Sequence, residues 1–212
     1  MVHREPVVTT RSGCVWQPED VPSPSLQTLL YLLRESPTGG LVLLGRKRRG
    51  FGLGKLVAPG GHVEPGETMV AAALREAEEE VGVQVAETDA TLAAVLHYRF
   101  PSRPTLDAEV HAFVAQTWSG VVLPSEELEP RWFPAASLPL DRMWDDERYW
   151  LPQVLDGARL TAEIVYDESC EKVVKFDSKS AQAGLSQDSG EPHASARRVC
   201  PLSNGLPIDP KD

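Results

Sequence analysis

Residues 60 to 83 read GGHVEPGETMVAAALREAEEEVGV. The stretch changes character at Thr68. Before it, three glycines and a proline interrupt any regular pattern, which marks a loop. After it, Val70, Ala73, Leu74, Ala77 and Val81 share one side of a 3.6-residue wheel, an arc of about 100°. Gly82 supplies the usual stop just past a helix end. The spacing predicts a helix over Thr68 to Val81 whose apolar side packs on a sheet. Glu76, Glu79 and Glu80 fall together on a neighbouring arc of about 100°.

A solvated acidic face is the ordinary reading of such an arc. Three physical points oppose it. Glu76 and Glu80 are like charges at i,i+4, which destabilises a helix. No lysine lies on the arc to offset them. Glu78, Glu79 and Glu80 occupy the last turns, where the helix dipole disfavours negative charge. A compensating cation resolves the conflict. Oxygen-only donors suit Mg²⁺ or Mn²⁺, which commonly share their shell with substrate phosphates.

Outward from the helix, elements of both kinds alternate. Leu26 to Leu33 and Leu41 to Arg48 read as strands joined by a turn at Ser36 to Gly40. Thr91 to Tyr98, Ala108 to Thr117 and Arg159 to Tyr166 read as further strands, and Asp146 to Leu155 as a short helix despite Pro152. Interleaved strands and helices predict an α/β layered domain with a mixed sheet. Residues 1–24 read as a loose arm, with a short strand at Val7 to Thr10. The domain spans 25–176. Residues 177–212 hold no aromatic residue and are rich in Ser, Gly, Pro and Ala, so they read as a disordered tail.

Bulk properties exclude several classes. The net charge of −10 makes the 212-residue chain a poor binder of nucleic acid. The longest apolar run, Leu29 to Leu33, cannot span a bilayer. The first ten residues carry no secretory h-region. Cys14, Cys170 and Cys200 stand too far apart for a zinc motif and are odd in number for a disulfide framework. A cytoplasmic protein handling a small phosphorylated molecule is the expectation, with no membrane and no nucleic acid among its partners. The basic run Arg46 to Arg49 fits an attractor for polyphosphate, although strand alternation turns only half of it toward one face. His62 and His97 have no partner at metal-ligand spacing.

The residues Gly61, Glu67, Arg75, Glu76, Glu79, Glu80, Gly82 and Val83 match the Nudix box, G-x5-E-x7-R-E-U-x-E-E-x-G-U, with every spacing kept. Ala77 is smaller than the aliphatic residue usual at its place. The chain thus resembles the Nudix hydrolases. The resemblance implies an α/β/α sandwich around a mixed β-sheet, with the box as loop-helix-loop. It implies that Glu76, Glu79 and Glu80 bind Mg²⁺ or Mn²⁺ together with a main-chain carbonyl of Gly60 or Gly61. Arg75 would pair with Glu67 and orient the loop. Glu79, Glu80 or a later glutamate would take the proton of an attacking water.

Within the superfamily the stretch from Leu26 to Phe176 resembles the oxidised purine nucleoside triphosphate hydrolases, the 8-oxo-dGTP diphosphatases of nucleotide-pool sanitation. Lys47 to Gly52, Ser125 to Phe133 and Met143 to Trp150 carry this second resemblance. It implies that Glu127 is a further metal ligand or the base, and that Thr28, Lys47 and Phe51 line the nucleoside pocket. Trp144 would stack on the base. Asp146 and Glu147, adjacent acids facing an apolar pocket, would split their pKa values, so that one donates to a purine edge while the other accepts. An acidic first helical turn is the alternative reading of that pair. The sequence departs from the subgroup at Lys55 to Pro59, where a Trp-Asn pair is usual; Val57 has no polar group to read a base. An ADP-ribose, NADH or dinucleoside polyphosphate pyrophosphatase is the alternative enzyme, and a non-catalytic nucleotide- or protein-binding module the alternative outside enzymes.

Overall fold

A computed structural model describes residues 23–180. The expected strand at Val7 to Thr10, Cys14, Cys200 and the chain beyond Ser180 lie outside the described residues. Ten strands and two α-helices follow in order: β1 (Ser25–Arg34), β2 (Leu41–Lys47), β3 (Leu56–Val57), α1 (Met69–Val81), β4 (Val83–Gln84), β5 (Thr91–Arg99), β6 (Ala108–Ala115), β7 (Ser119–Gly120), β8 (Leu128–Pro134), α2 (Glu147–Leu155), β9 (Leu160–Tyr166) and β10 (Val173–Ser180).

The main sheet runs β10-β9-β5-β6-β1-β2-β3, with β8 paired to β2. It is mixed: β1 is parallel to β6 and β5 to β9, while the other neighbours are antiparallel. Alternation along β1 sends Leu30 and Leu32 to one face and Tyr31 to the other. Ala73, Ala77 and Val81 of α1 pack on the first face. Trp150, Leu151 and Val154 of α2 pack on the second. Helices therefore cover opposite faces of the sheet, as the sandwich expectation required.

The ends of α1 form as the sequence predicts. Thr68 caps the start, its Oγ1 accepting from Ala71 N–H at 3.2 Å, and Gly82 closes the helix in the left-handed region at φ 74°. The expected tail boundary is displaced. β10 continues to Ser180, past Asp177, paired in register with β9. Its side chains are mostly exposed, so composition carried no signal; the backbone ladder does the ordering.

β1 and β2 share only their far ends, pairing at Leu33–Val42 and Arg34–Leu41. The near half of β1 is paired instead with the loop before α1. Leu30 N–H donates to Pro59 O at 2.8 Å, Thr28 N–H to Gly61 O at 2.8 Å, and Val63 N–H to Leu26 O at 3.0 Å. A β-carbon on Gly60 would overlap the carbonyl of Thr28, so this approach requires glycine. Splaying of the two strands opens the sheet just where the sequence motif begins. Among the described residues no helix is long and apolar enough to cross a membrane.

Candidate active site

The loop and α1 are joined through Arg75. Its Nε donates to Glu67 Oε1 at 3.0 Å and one terminal nitrogen to Glu67 Oε2 at 3.2 Å, a two-pronged pair. The same nitrogen donates to the carbonyl of His62 at 3.1 Å. Hydrogen bonding from Arg75 holds the Glu67 carboxyl below its ordinary range, and Arg75 is raised in turn. The expected partner and its role in fastening the loop are both present.

Arg75 does more than expected. Its other terminal nitrogen donates to Glu76 Oε1 at 3.0 Å and Glu79 Oε2 at 3.2 Å. No lysine lies on the acidic arc, but the offset expected to be missing comes from an arginine one residue before Glu76, which reaches across two of its three carboxylates. Wheel position misses this because a guanidinium extends well beyond its own Cβ. Among the described residues, no three His, Cys, Asp or Glu side chains converge as a ready metal cluster.

Glu80 differs from its neighbours. It is 5% exposed, and its Oε2 accepts from Gly60 N–H at 3.0 Å. Burial pushes its carboxyl up to about 7, against the Gly60 hydrogen bond and Lys47; Glu76 and Glu127 push it further. Glu76 lies against Gly61, where a β-carbon would collide with its carboxylate. The Gly61 carbonyl is engaged by Thr28 N–H, and the Gly60 N–H faces this cluster through its bond to Glu80. Clustered carboxylates, a glycine gap that admits one of them and a buried acid without an ion-pair partner fit a hard divalent cation.

A cavity of about 570 Å³ opens beside this cluster. Lys47, Arg49, Gly60 and Glu127 line one part of it, and Phe51, Val57, Trp144, Asp146 and Glu147 another. Arg46 and Arg48 turn away, to Glu129 and to the carbonyl of Ser125. Half of the basic run thus faces the cavity, as strand alternation dictates. Glu127 is paired with Arg49, whose hydrogen bond lowers its carboxyl. Thr28 lines the cavity with its Oγ1 buried and, among the described residues, without a partner.

The second part is walled by aromatic rings. Phe51 lies 4.8 Å from Trp144, and Lys55 Nζ sits 4.6 Å above the Trp144 ring. Phe100 stacks on Tyr166 at 4.8 Å. The adjacent acids are both buried, as expected of pocket residues. Glu147 accepts from Tyr31 O–H at 3.0 Å and from Trp144 N–H at 3.0 Å. Burial, then the neighbouring Asp146, pushes the Glu147 carboxyl well up. Asp146 accepts from Tyr98 O–H, Tyr166 O–H and Trp150 Nε1–H. Tyr31, Tyr98 and Tyr166 escaped the sequence reading; they arrive from β1, β5 and β9, with no common spacing, while Trp150 was noted only as part of the resembling segment and not as a site residue.

All six expected substrate residues meet in this cavity, with Gly60 and Glu127. Arg75, Glu76, Glu79 and Glu80 stand on the adjoining helix instead, Glu79 with its side chain 60% exposed.

A family model described as NUDIX domain matches residues 27–154. The oxidized purine nucleoside triphosphate hydrolase of Mus musculus is 37% identical over 145 residues, 68% of this chain and 87% of that protein. Its namesake from Danio rerio is 39% identical over 121 residues, 57% of this chain and 75% of that one. Among solved structures, a MutT protein from Bacillus halodurans superposes with a TM-score of 0.59 at 21% identity, over 73% of this chain and 97% of that one.

Proposed function

This chain belongs to the NUDIX domain family and is a Nudix hydrolase, and on that premise we propose that it cleaves purine nucleoside or deoxynucleoside triphosphates, oxidised ones included, to the monophosphate and pyrophosphate with Mg²⁺ or Mn²⁺. The observation that carries this reading is one cavity lined by cationic and acidic side chains in one part and by aromatic rings with two buried acids in the other. A nucleotide has the same two-part chemistry. The names of the two curated relatives support a purine triphosphate over other diphosphates.

Each residue has a part in the proposed reaction. Lys47 and Arg49 attract and seat the polyphosphate. Glu76, Glu79, Glu80 and Glu127, with the carbonyl of Gly60, would hold the divalent ion. When bound, that ion neutralises the bridging phosphates and lowers the pKa of a coordinated water. To hold it, Glu76 and Glu79 would give up their bonds to Arg75, whose two-pronged hold on Glu67 is separate from them. Glu79, Glu80 and Glu127 are the candidate proton acceptors. In the metal-free chain burial raises the Glu80 carboxyl to about 7. Phe51 and Trp144 offer faces to a flat base. Thr28, Asp146 and Glu147 lie deeper, where a base edge would end.

The test is a turnover assay over a panel of nucleotides with product identification, with and without Mg²⁺. Pyrophosphate and monophosphate from purine triphosphates, only when the metal is present, is the expected result. AMP from ADP-ribose with no pyrophosphate from any triphosphate would replace this reading by the dinucleotide one.

A further inference from the structure

Asp146 sits on the cavity wall, yet its carboxylate is already occupied by the protein. Oδ2 accepts from Tyr98 O–H at 2.6 Å and from Trp150 Nε1–H at 2.7 Å. Oδ1 accepts from Tyr166 O–H at 2.5 Å. A carboxylate has about four acceptor sites, so three of them are engaged here. The indole N–H can only donate. Each tyrosine, having donated, is left with acceptor capacity on its oxygen. Tyr166 gives some of that back by accepting from Asp146 N–H at 3.4 Å; Tyr98 has no such second bond. Both rings are fixed by packing, Phe100 lying 4.8 Å from Tyr166 and 6.5 Å from Tyr98 at interplanar angles of 16°.

We infer that Tyr98 and Tyr166 determine the base specificity of this pocket, because with Trp150 they engage three of the about four acceptor sites of Asp146 and leave most of the reading of the ligand's edge to Glu147, the Tyr98 hydroxyl and Thr28. The inference rests on the proposed nucleotide chemistry of the same cavity and deepens it. The three remaining groups divide their work by chemistry. Tyr31 O–H holds Glu147 Oε1, while Oε2 meets the Trp144 N–H, which cannot accept, so a proton on Oε2 is offered to a ligand acceptor. Burial, then Asp146, raises the Glu147 carboxyl, which favours its protonated form. Tyr98 Oη accepts. Thr28 Oγ1 is 1% exposed and unpartnered, and it borders the same space. A buried hydroxyl left alone costs free energy unless a ligand pairs with it. The class of ligand that satisfies all three is a flat heterocycle presenting a carbonyl or bare ring nitrogen beside an N–H donor. A pocket that read with both acids would favour ligands with two donors or a shared proton instead.

Calorimetric binding of dAMP, dGMP and 8-oxo-dGMP to the full chain with Mg²⁺ tests this, using wild type, Tyr98→Phe, Tyr166→Phe and the double variant. Freeing Asp146 is expected to change the ratio of dissociation constants between two of these ligands by about tenfold or more in the double variant. A loss of binding by one common factor for all three ligands, with their order unchanged, overturns the inference, as does a wild type that binds none of them. If Tyr166→Phe does not fold, Tyr98→Phe alone carries the comparison, since Tyr98 supplies both a bond to Asp146 and an acceptor. Pyrophosphate release is measured in parallel on the same proteins. Absent release with an altered ligand order defeats the proposed reaction alone; normal release with an unaltered order defeats this inference alone.

Discussion

The acidic helix beside the cavity and the aromatic part of the cavity hold carboxylates by opposite means. Around α1, Glu67, Glu76 and Glu79 are held by one guanidinium on a partly exposed helix face. Around α2, Asp146 and Glu147 are buried and held by neutral donors: three tyrosine hydroxyls, an indole and a main-chain N–H. The first arrangement is an ionic one that an incoming cation can redraw, since long side chains exchange partners cheaply at a surface. The second is a dry network in which each donor is committed and any rearrangement strands a polar group. Chemistry that needs charge to move belongs to the first; discrimination that needs shape and fixed polarity belongs to the second.

Replacing Glu79 and Glu80 together with glutamine should break the first part and spare the second. The expected loss in kcat for pyrophosphate release is on the order of 10²- to 10⁴-fold. Calorimetric affinity for a nucleoside monophosphate should change less than about threefold. A comparable loss in both measurements would mean that the two parts do not act separately.

A smaller effect concerns stability and pH. Glu80 has its carboxyl raised to about 7 when folded, against an ordinary 4.5. Stability from the neutral form is complete below the ordinary value and is lost as pH rises through about 7. In metal-free buffer, Glu80→Gln should therefore raise Tm at pH 8 and leave it nearly unchanged at pH 4.5. The gain has an upper bound of about 3 kcal/mol. Urea midpoints across that range check it, and added Mg²⁺ should narrow the difference at pH 8. A gain that is equal at both pH values would remove burial of Glu80 as its cause.

The smallest effect sharpens the second part. Val57 lines the cavity without a polar group. Val57→Asn gives the wall a donor and an acceptor and should shift the kcat/KM ratio between two purine triphosphates by about tenfold, with total hydrolysis retained. An unchanged substrate profile would put residue 57 away from the bound base.

The contrast also explains what the sequence revealed. Around α1 the informative residues lie within one loop and one helix: helical spacing brought Glu76, Glu79 and Glu80 into view, likeness to the Nudix box added Glu67 and Arg75, and Thr68 and Gly82 set the helix ends. Helical geometry turns such intervals directly into neighbours. What spacing could not give was the reach of Arg75 along the helix surface. Around α2, Trp144, Asp146 and Glu147 were legible by likeness to a known pattern. Their holders were not: Tyr31 lies 116 residues from Glu147, and Tyr98 lies 48 residues from Asp146. Contacts of that kind are fixed by the order of strands in a sheet. β10 was cut short for a related cause, since its pairing with β9 leaves no mark on its own exposed side chains.

Thr28 belongs to both parts at once. Its N–H ties down the Gly61 carbonyl beside the acidic helix, while its side chain borders the aromatic pocket. One residue of β1 therefore fixes the distance between that loop and that wall. On the proposed reading it would serve as a ruler between phosphate and ring, and lengthening or shortening the loop by a residue would spoil that measure without altering any group on the aromatic wall.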